Sequence, residues 1–174
     1  MIPVIETERL ILRGMERRDF PAFAAIWREP EVVRFIGGKP FSEAESWARF
    51  KSNAGSWVLD GHGQWGIFRK ADGMLLGQVG FFRALRGLGA DFDRAPEAGW
   101  VLCGRAQGQG YGPEAVAAAH DWFDAQIFGG ESWGMIDVGH VVSLRLAARF
   151  GYQMVREAEF MGDAVTLLVR KRSV

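Results

Sequence analysis

Residues 105 to 112 read Arg105-Ala106-Gln107-Gly108-Gln109-Gly110-Tyr111-Gly112, three glycines alternating with other residues ahead of Pro113-Glu114. Glu97-Ala98-Gly99-Trp100-Val101-Leu102-Cys103 before them reads as a strand, and the run after them has helical periodicity. A glycine-rich turn between a strand and a helix start presents unpaired backbone N–H groups that a phosphate can occupy. Glycine lets such a turn adopt positive φ and approach an anion closely. Spacing excludes two owners of the turn. A Walker A loop needs Lys-Ser or Lys-Thr after its last glycine, where Pro113-Glu114 stands. A dinucleotide fingerprint needs glycines separated by one and then two residues in an N-terminal βαβ unit, and Gly108, Gly110 and Gly112 follow several strands without that spacing. The glycines alone leave open both an anion site and a tight connection that binds nothing.

Other chemistries are bounded by composition. Cys103 is the single cysteine, which rules out an intrachain disulfide and fits a reducing cytoplasm. No histidine is adjacent in sequence to activate it, so a buried small residue is the reading for its side chain. His62, His120 and His140 have no zinc-site spacing, and no metal is expected. His62 and His120 read as surface or helix-flank residues. The net charge of zero gives no electrostatic support for binding nucleic acid or an acidic membrane. No apolar run is long enough to span a bilayer, and Glu6 and Glu8 stand where a signal segment would be apolar. A cytoplasmic protein is expected.

The elements that must position these residues follow from periodicity. Thr7 to Arg13 reads as a first strand, and Asp19 as N-cap of a helix through Phe20, Phe23, Ile26 and Trp27. Val32 to Ile36 suggests a second short helix before Gly37-Gly38. Ser42 with Glu45 forms a capping-box pattern opening a helix with Trp47 and Phe50. From Trp57 the pattern turns to strands: Trp57-Val58-Leu59, Trp65 to Phe68 and Met74 to Phe82, with 84 to 95 an irregular loop. A helix starts near Pro113, shows Val116, Ala119, Phe123 and Ile127 on one face, and ends at Gly129-Gly130. Ser132 to Val138 is a strand and Ser143 to Phe150 a short helix closed by Gly151. Residues 152 to 159 and 164 to 171 form a hairpin. The expectation is one mixed α/β domain over residues 1–174 with a mostly antiparallel sheet.

Arg105-x-x-Gly108-x-Gly110 resembles the pyrophosphate loop of the GNAT acyltransferases. Gln107 through Ala115, the opening Thr7 to Arg13 with Asp19, Glu97-Ala98-Gly99-Trp100 and Ser143 through Tyr152 resemble the branch of ribosomal-protein-alanine N-acetyltransferases. The resemblance implies acetyl-CoA as donor, its pyrophosphate on the N–H groups of Ala106 to Gly112, with Arg105 opening the loop and Tyr111 able to cover the cofactor. It implies a sheet splayed at the cofactor strand, with pantetheine in the splay between that strand and Ser132–Val138, pairing near Val101 and Cys103. An oxyanion donor is expected at the N–H of Leu102 or Cys103. Glu97 is the first candidate base and His140, where the family has asparagine, the second, or else a pantetheine contact. The tyrosine that many members carry four residues before the closing glycine is absent, since Ala147 stands there. Ser143 is assigned to the leaving sulfur, a role compatible with an N-cap. Tyr152 reads as core. Trp27, Phe35, Phe41 and Trp47 are available to an acceptor wall, and Asp91, Asp93 and Glu97 would make that wall acidic, suited to a cationic amine. The expected activity is acetyl transfer to a primary amine, a protein N-terminus or a small molecule, by a monomer or homodimer. A non-catalytic acyl-CoA-binding module is the alternative.

Overall fold

Alternating apolar residues assemble one eight-stranded sheet in the computed structural model, which describes residues 1–127 and 130–172. The strands are β1 (Ile5–Glu6), β2 (Leu10–Arg13), β3 (Gln64–Arg69), β4 (Leu75–Phe82), β5 (Glu97–Leu102), β6 (Glu131–Asp137), β7 (Gln153–Phe160) and β8 (Asp163–Lys171). They lie in the order β1-β2-β3-β4-β5-β6-β8-β7. All neighbours are antiparallel except β5 and β6, which run parallel and share a single residue pair, Glu97 with Trp133. The Trp133 N–H donates to the Pro96 carbonyl at 2.9 Å. Pairing does not continue beyond that point, so the sheet opens between the C-terminal halves of β5 and β6. This is the mostly antiparallel, splayed sheet that the sequence leads one to expect.

The helices are α1 (Phe20–Trp27), α2 (Pro30–Val33), α3 (Glu43–Leu59), α4 (Ala90–Arg94), α5 (Tyr111–Asp124) and α6 (Val141–Arg149). Two layers of them cover the sheet. Phe81 of β4 stacks on Phe123 of α5, ring centroids 3.9 Å apart. Side chains alternate along a strand, so Gln78 points to the opposite face, where Asn53 of α3 donates to it at 3.1 Å. α1 joins α3 there through Phe20, Phe23, Trp47 and Phe50. α6 lies on the α5 face, reached from β5 by Trp100.

Local signals set several boundaries. Ser42 and Glu45 close the capping box, with Glu45 N–H donating to Ser42 Oγ at 3.2 Å and Ser42 N–H to Glu45 Oε2 at 2.7 Å. α3 then runs on through Leu59, so Trp57-Val58-Leu59 is helix and not the expected strand. Trp57 packs edge-on against Trp65 and Trp122 and donates to the Gln64 carbonyl at 3.2 Å. That anchor keeps the last turn helical while Val58 and Leu59 face solvent. The expected first strand is instead a hairpin, because Thr7 turns the chain: its N–H donates to the Leu10 carbonyl and its Oγ1 accepts from the Leu10 N–H, both at 3.0 Å. Asp19 occupies the N-cap position of α1 but does not cap that helix with its side chain, which instead accepts from the Glu16 N–H at 2.7 Å and holds the Arg13 guanidinium at 2.8 and 3.0 Å.

The stretch 84 to 95 contains α4 and is not wholly irregular. α5 begins two residues before Pro113 and ends at Asp124, so Ile127 lies past it and is exposed. Gly129, expected to end that helix, lies outside the described residues. α6 starts at Val141, two residues ahead of the expected Ser143. It closes as read, with Gly151 at φ +86° and N–H bonds from Tyr152 to Ala147 and from Gly151 to Ala148, both 3.1 Å.

Candidate active site

The glycine turn lies where β5 ends and α5 begins, beside the opening in the sheet. Gly108 and Gly110 hold φ of +73° and +82°, a conformation that costs an L-residue about 1–2 kcal/mol. A Cβ at Gly108 would have no described atom within 4 Å, and one at Gly110 would stand 3.2 Å from Arg9 Nη2. The outer side of the turn is therefore open to a ligand, and its inner side is braced. Arg9 provides the brace: it donates to the Gln109 carbonyl at 2.9 Å, pairs with Glu114 at 2.7 Å and lies over the Tyr111 ring at 4.5 Å. Thr7 Oγ1 also donates to Glu114 at 2.5 Å. Burial pushes the Glu114 carboxyl up, but the bonds from Thr7 and Arg9 outweigh it and hold the group below its usual range. Glu114 thus complements the helix dipole and fastens the N-terminus of α5 to the β1–β2 hairpin.

Within the turn, Ala106 and Tyr111 are buried, while Arg105, Gln107, Gly108, Gln109 and Gly110 are exposed. Tyr111 points inward beneath Arg9, so it offers a ligand its N–H and not an aromatic cover. Gln109 donates to the Arg105 carbonyl at 2.6 Å, and Gly112 lets Leu102 approach to 3.3 Å from where a Cβ would be. The N–H groups of Tyr111 and Gly112 open a 14-residue helix, the arrangement that favours an anion.

Successive residues of a strand direct their N–H and C=O groups to opposite neighbours. The Cys103 N–H donates to the Leu76 carbonyl at 2.8 Å, and the Val101 carbonyl lies against Gly77 of β4. Both belong to the β4 ladder. The edge facing the opening is accordingly Trp100 and Leu102, and the Leu102 carbonyl accepts from Gln107 Nε2 at 3.2 Å. Of the two oxyanion donors expected from sequence, the Cys103 N–H is therefore engaged elsewhere, and Leu102 is the one on the open side. The Cys103 side chain is fully buried, as read.

On the α5 face, Ser143 Oγ accepts from Trp100 Nε1 at 3.0 Å. Ser143 is the third residue of α6, and the N-cap position belongs to His140, so Ser143 is not a cap. His140 stacks on Phe35 with centroids 4.4 Å apart, and burial lowers its pKa, leaving it a neutral imidazole at pH 7. Ala147 is fully buried. His120 and His62 are buried too, against the expectation of surface positions. His120 Nδ1 donates to the Val116 carbonyl at 2.8 Å, its Nε2 accepts from Tyr152 Oη at 2.9 Å, and Tyr152 also bonds Ser132 at 2.8 Å. Burial pulls His120 down to about 4 and pushes the Tyr152 phenol up. A histidine at a helix flank becomes core here because the phenol of Tyr152 satisfies its second nitrogen.

On the α3 face, Glu97 is 4% exposed. Its two oxygens take the fork of Arg86 at 2.8 and 2.9 Å. Burial raises the Glu97 carboxyl, opposed by that guanidinium. Asp91 pairs with Arg156 at 2.6 Å, and Asp93 accepts from the Gly87 N–H at 3.0 Å. Two acids of the wall expected to be acidic, Glu97 and Asp91, are thus neutralised by arginines, and Asp93 pairs with no described cation. Trp27 and Phe41 stack at 4.9 Å, with the Arg49 guanidinium over Trp27 at 4.3 Å. Arg49 and Arg86 escaped the reading of the sequence because neither lies in a motif; α3 and the loop after β4 bring them to Glu97 from far along the chain. Trp100 was legible only as strand, although its indole is what fixes Ser143. Among the described residues there is no group of three or more His, Cys, Asp or Glu that could hold a metal, and no helix long and apolar enough to cross a membrane.

Known proteins resemble this chain in sequence and fold. The family described as Acetyltransferase (GNAT) domain matches residues 9–153. An uncharacterized N-acetyltransferase of Bacillus subtilis, YoaA, is 28% identical over 160 residues, 88% of this chain and 84% of its own. A solved structure from Bordetella pertussis, assigned to the GNAT family, superposes with a TM-score of 0.87 at 29% identity, covering 97% of this chain and 99% of that one. RimL, described as a ribosomal L7/L12 alpha-N-protein acetyltransferase and solved with coenzyme A, shares the fold at a TM-score of 0.75 and 16% identity, covering 97% and 98%.

Proposed function

The chain belongs to the GNAT acetyltransferases, enzymes that use acetyl-CoA, and on that premise we propose that it acetylates a primary amine by direct attack in a ternary complex. The observation that carries the reading is the opening between β5 and β6 with the braced glycine turn at its end. A pyrophosphate suits the N–H groups of residues 106 to 112, and the free edge of Trp100 and Leu102 suits the amides of a pantetheine arm. In this proposal the amine nitrogen attacks the thioester carbonyl and the Leu102 or Trp100 N–H stabilises the oxyanion. The carbon–sulfur bond then breaks, the thiolate takes a proton and the new amide loses one.

Glu97 is the proposed base. Arg86 occupies one site on each carboxylate oxygen, which leaves further lone pairs, and burial moves the group toward the pKa that proton transfer favours. His140, neutral and half-buried beside α6, is the second candidate. Ser143, oriented by Trp100, is the proposed proton donor to sulfur.

A non-catalytic acyl-CoA-binding module is the second reading, favoured by the arginine fork on Glu97 and the buried alanine at position 147. One experiment separates the two. An enzyme warms in its melting temperature with acetyl-CoA and releases free thiol when amines and N-terminal peptides are offered. A module shows the thermal shift and releases none. Absence of the shift itself would sink both.

A further inference from the structure

Arg49 is a charged side chain that the proposed chemistry leaves without a role. It is half-buried in α3, its guanidinium 4.3 Å from the Trp27 ring and 5.2 Å from Phe41. Among the described residues it makes no hydrogen bond and no ion pair. Other arginines of this chain do: Arg9 holds Glu114, Arg13 Asp19, Arg69 Asp72, Arg86 Glu97, Arg156 Asp91 and Arg170 Asp124. Withdrawing a cation from water without a partner is costly, and a guanidinium carries five donors. Burial and the neighbouring Arg86 pull Arg49 down to about 10, so it remains charged at neutral pH.

Its position is the acceptor side of β5. Trp100 points to α6 on one face, so Glu97, Gly99 and Val101 point to the other. There a Cβ at Gly99 would meet Gln64, whose side chain is tied to Gln78 and so to Asn53 of α3. The fields of Glu97 and Arg86 both reach Arg49. Glu97 is already engaged by the fork of Arg86, so Arg49 is the guanidinium of this group that no described carboxylate pairs with. A carboxylate brought by the acceptor would pair with it as Glu97 pairs with Arg86. The two rings lie 4.3 and 5.2 Å from the guanidinium and take none of its N–H groups, which leaves its fork for a planar carboxylate.

We propose that Arg49 recognises a carboxylate on the acceptor, so that the substrate is an amine bearing an acid group. The inference rests on the N-acetyltransferase reading and names its substrate class. The carboxylate has two possible sources, the α-carboxylate of a free amino acid and the side chain of an acidic residue near a peptide N-terminus.

The test compares matched pairs: amino acids against their carboxamides, and N-terminal peptides with aspartate against asparagine at the second position. Wild type is expected to favour the acid member of one series by about tenfold or more in kcat/KM, chiefly through KM. The series that shows the preference identifies the source. Arg49→Met is expected to bring that ratio to within about twofold of one, and Arg49→Lys to restore part of it, because the charge returns without the fork. A wild-type ratio near one, or a ratio that Arg49→Met leaves intact, overturns the assignment while amine acetylation stands. If neither series nor any other amine releases thiol, the transferase reading fails on its own. Titration of N-acetyl amino acids against their amides on the CoA-bound protein then decides the site: tighter binding of the acid, lost in Arg49→Met, upholds it, and equal binding overturns it.

Discussion

At the scale of single residues, the proposed donor half of the site depends on main-chain shape and the proposed acceptor half on side-chain company. Gly108 separates these cleanly, because no described atom stands near its missing Cβ. Gly108→Val is expected to cost about 1–2 kcal/mol of stability from the positive φ alone while blocking the approach of a pyrophosphate. Thermal shift with acetyl-CoA should therefore vanish with only a modest fall in melting temperature. A retained shift would remove the turn from the donor site. Glu97→Gln tests the base. Since burial raises the Glu97 pKa, the acid limb of the kcat/KM profile should lie above the ordinary glutamate range in wild type and disappear in the variant. A limb that persists in the imidazole range transfers the role to His140. The glycine turn was legible because its positive φ is a local demand for glycine. Arg86, Arg49 and the Trp100–Ser143 bond were not, since each joins positions 11 or more apart that only the fold brings together.

At the scale of elements, β5 and α6 explain why the opening exists. One pair, Glu97 with Trp133, ties β5 to β6, and behind the gap His120, Tyr152 and Ser132 link α5 to the strands beyond it. That link has a pH signature. The folded pKa of His120 is about 4 against an unfolded value near 6.5, so between those limits the unfolded chain holds a proton that the folded chain refuses. Stability is thus complete above pH 6.5 and falls as the pH drops toward 4, by on the order of 3 kcal/mol for a group this buried. Urea melts from pH 7.5 to 4 should show this slope in wild type and a flatter one in His120→Gln; identical slopes would contradict it. Periodicity exposed most of the elements. It failed at Trp57-Val58-Leu59, where strand-like residues continue a helix because Trp57 is pinned between Trp65 and Trp122. It failed again at Thr7, whose hydroxyl makes a turn inside an apparently continuous strand.

At the scale of the whole molecule, the proposed reaction divides two tasks between the faces of the sheet. The glycine turn and the edge of Trp100 and Leu102 present amides on the line of the opening, Ser143 approaches from the α6 face, and Glu97, Arg86 and Arg49 lie on the α3 face. Direct transfer requires donor and acceptor to be held together, one from each side, and involves no covalent acyl-enzyme. Initial rates of thiol release, measured while acetyl-CoA and an amine are varied together, test this most directly. The account predicts double-reciprocal lines that intersect, the pattern of a ternary complex. Parallel lines, or acetyl-CoA binding with no thiol released to any amine, would contradict it.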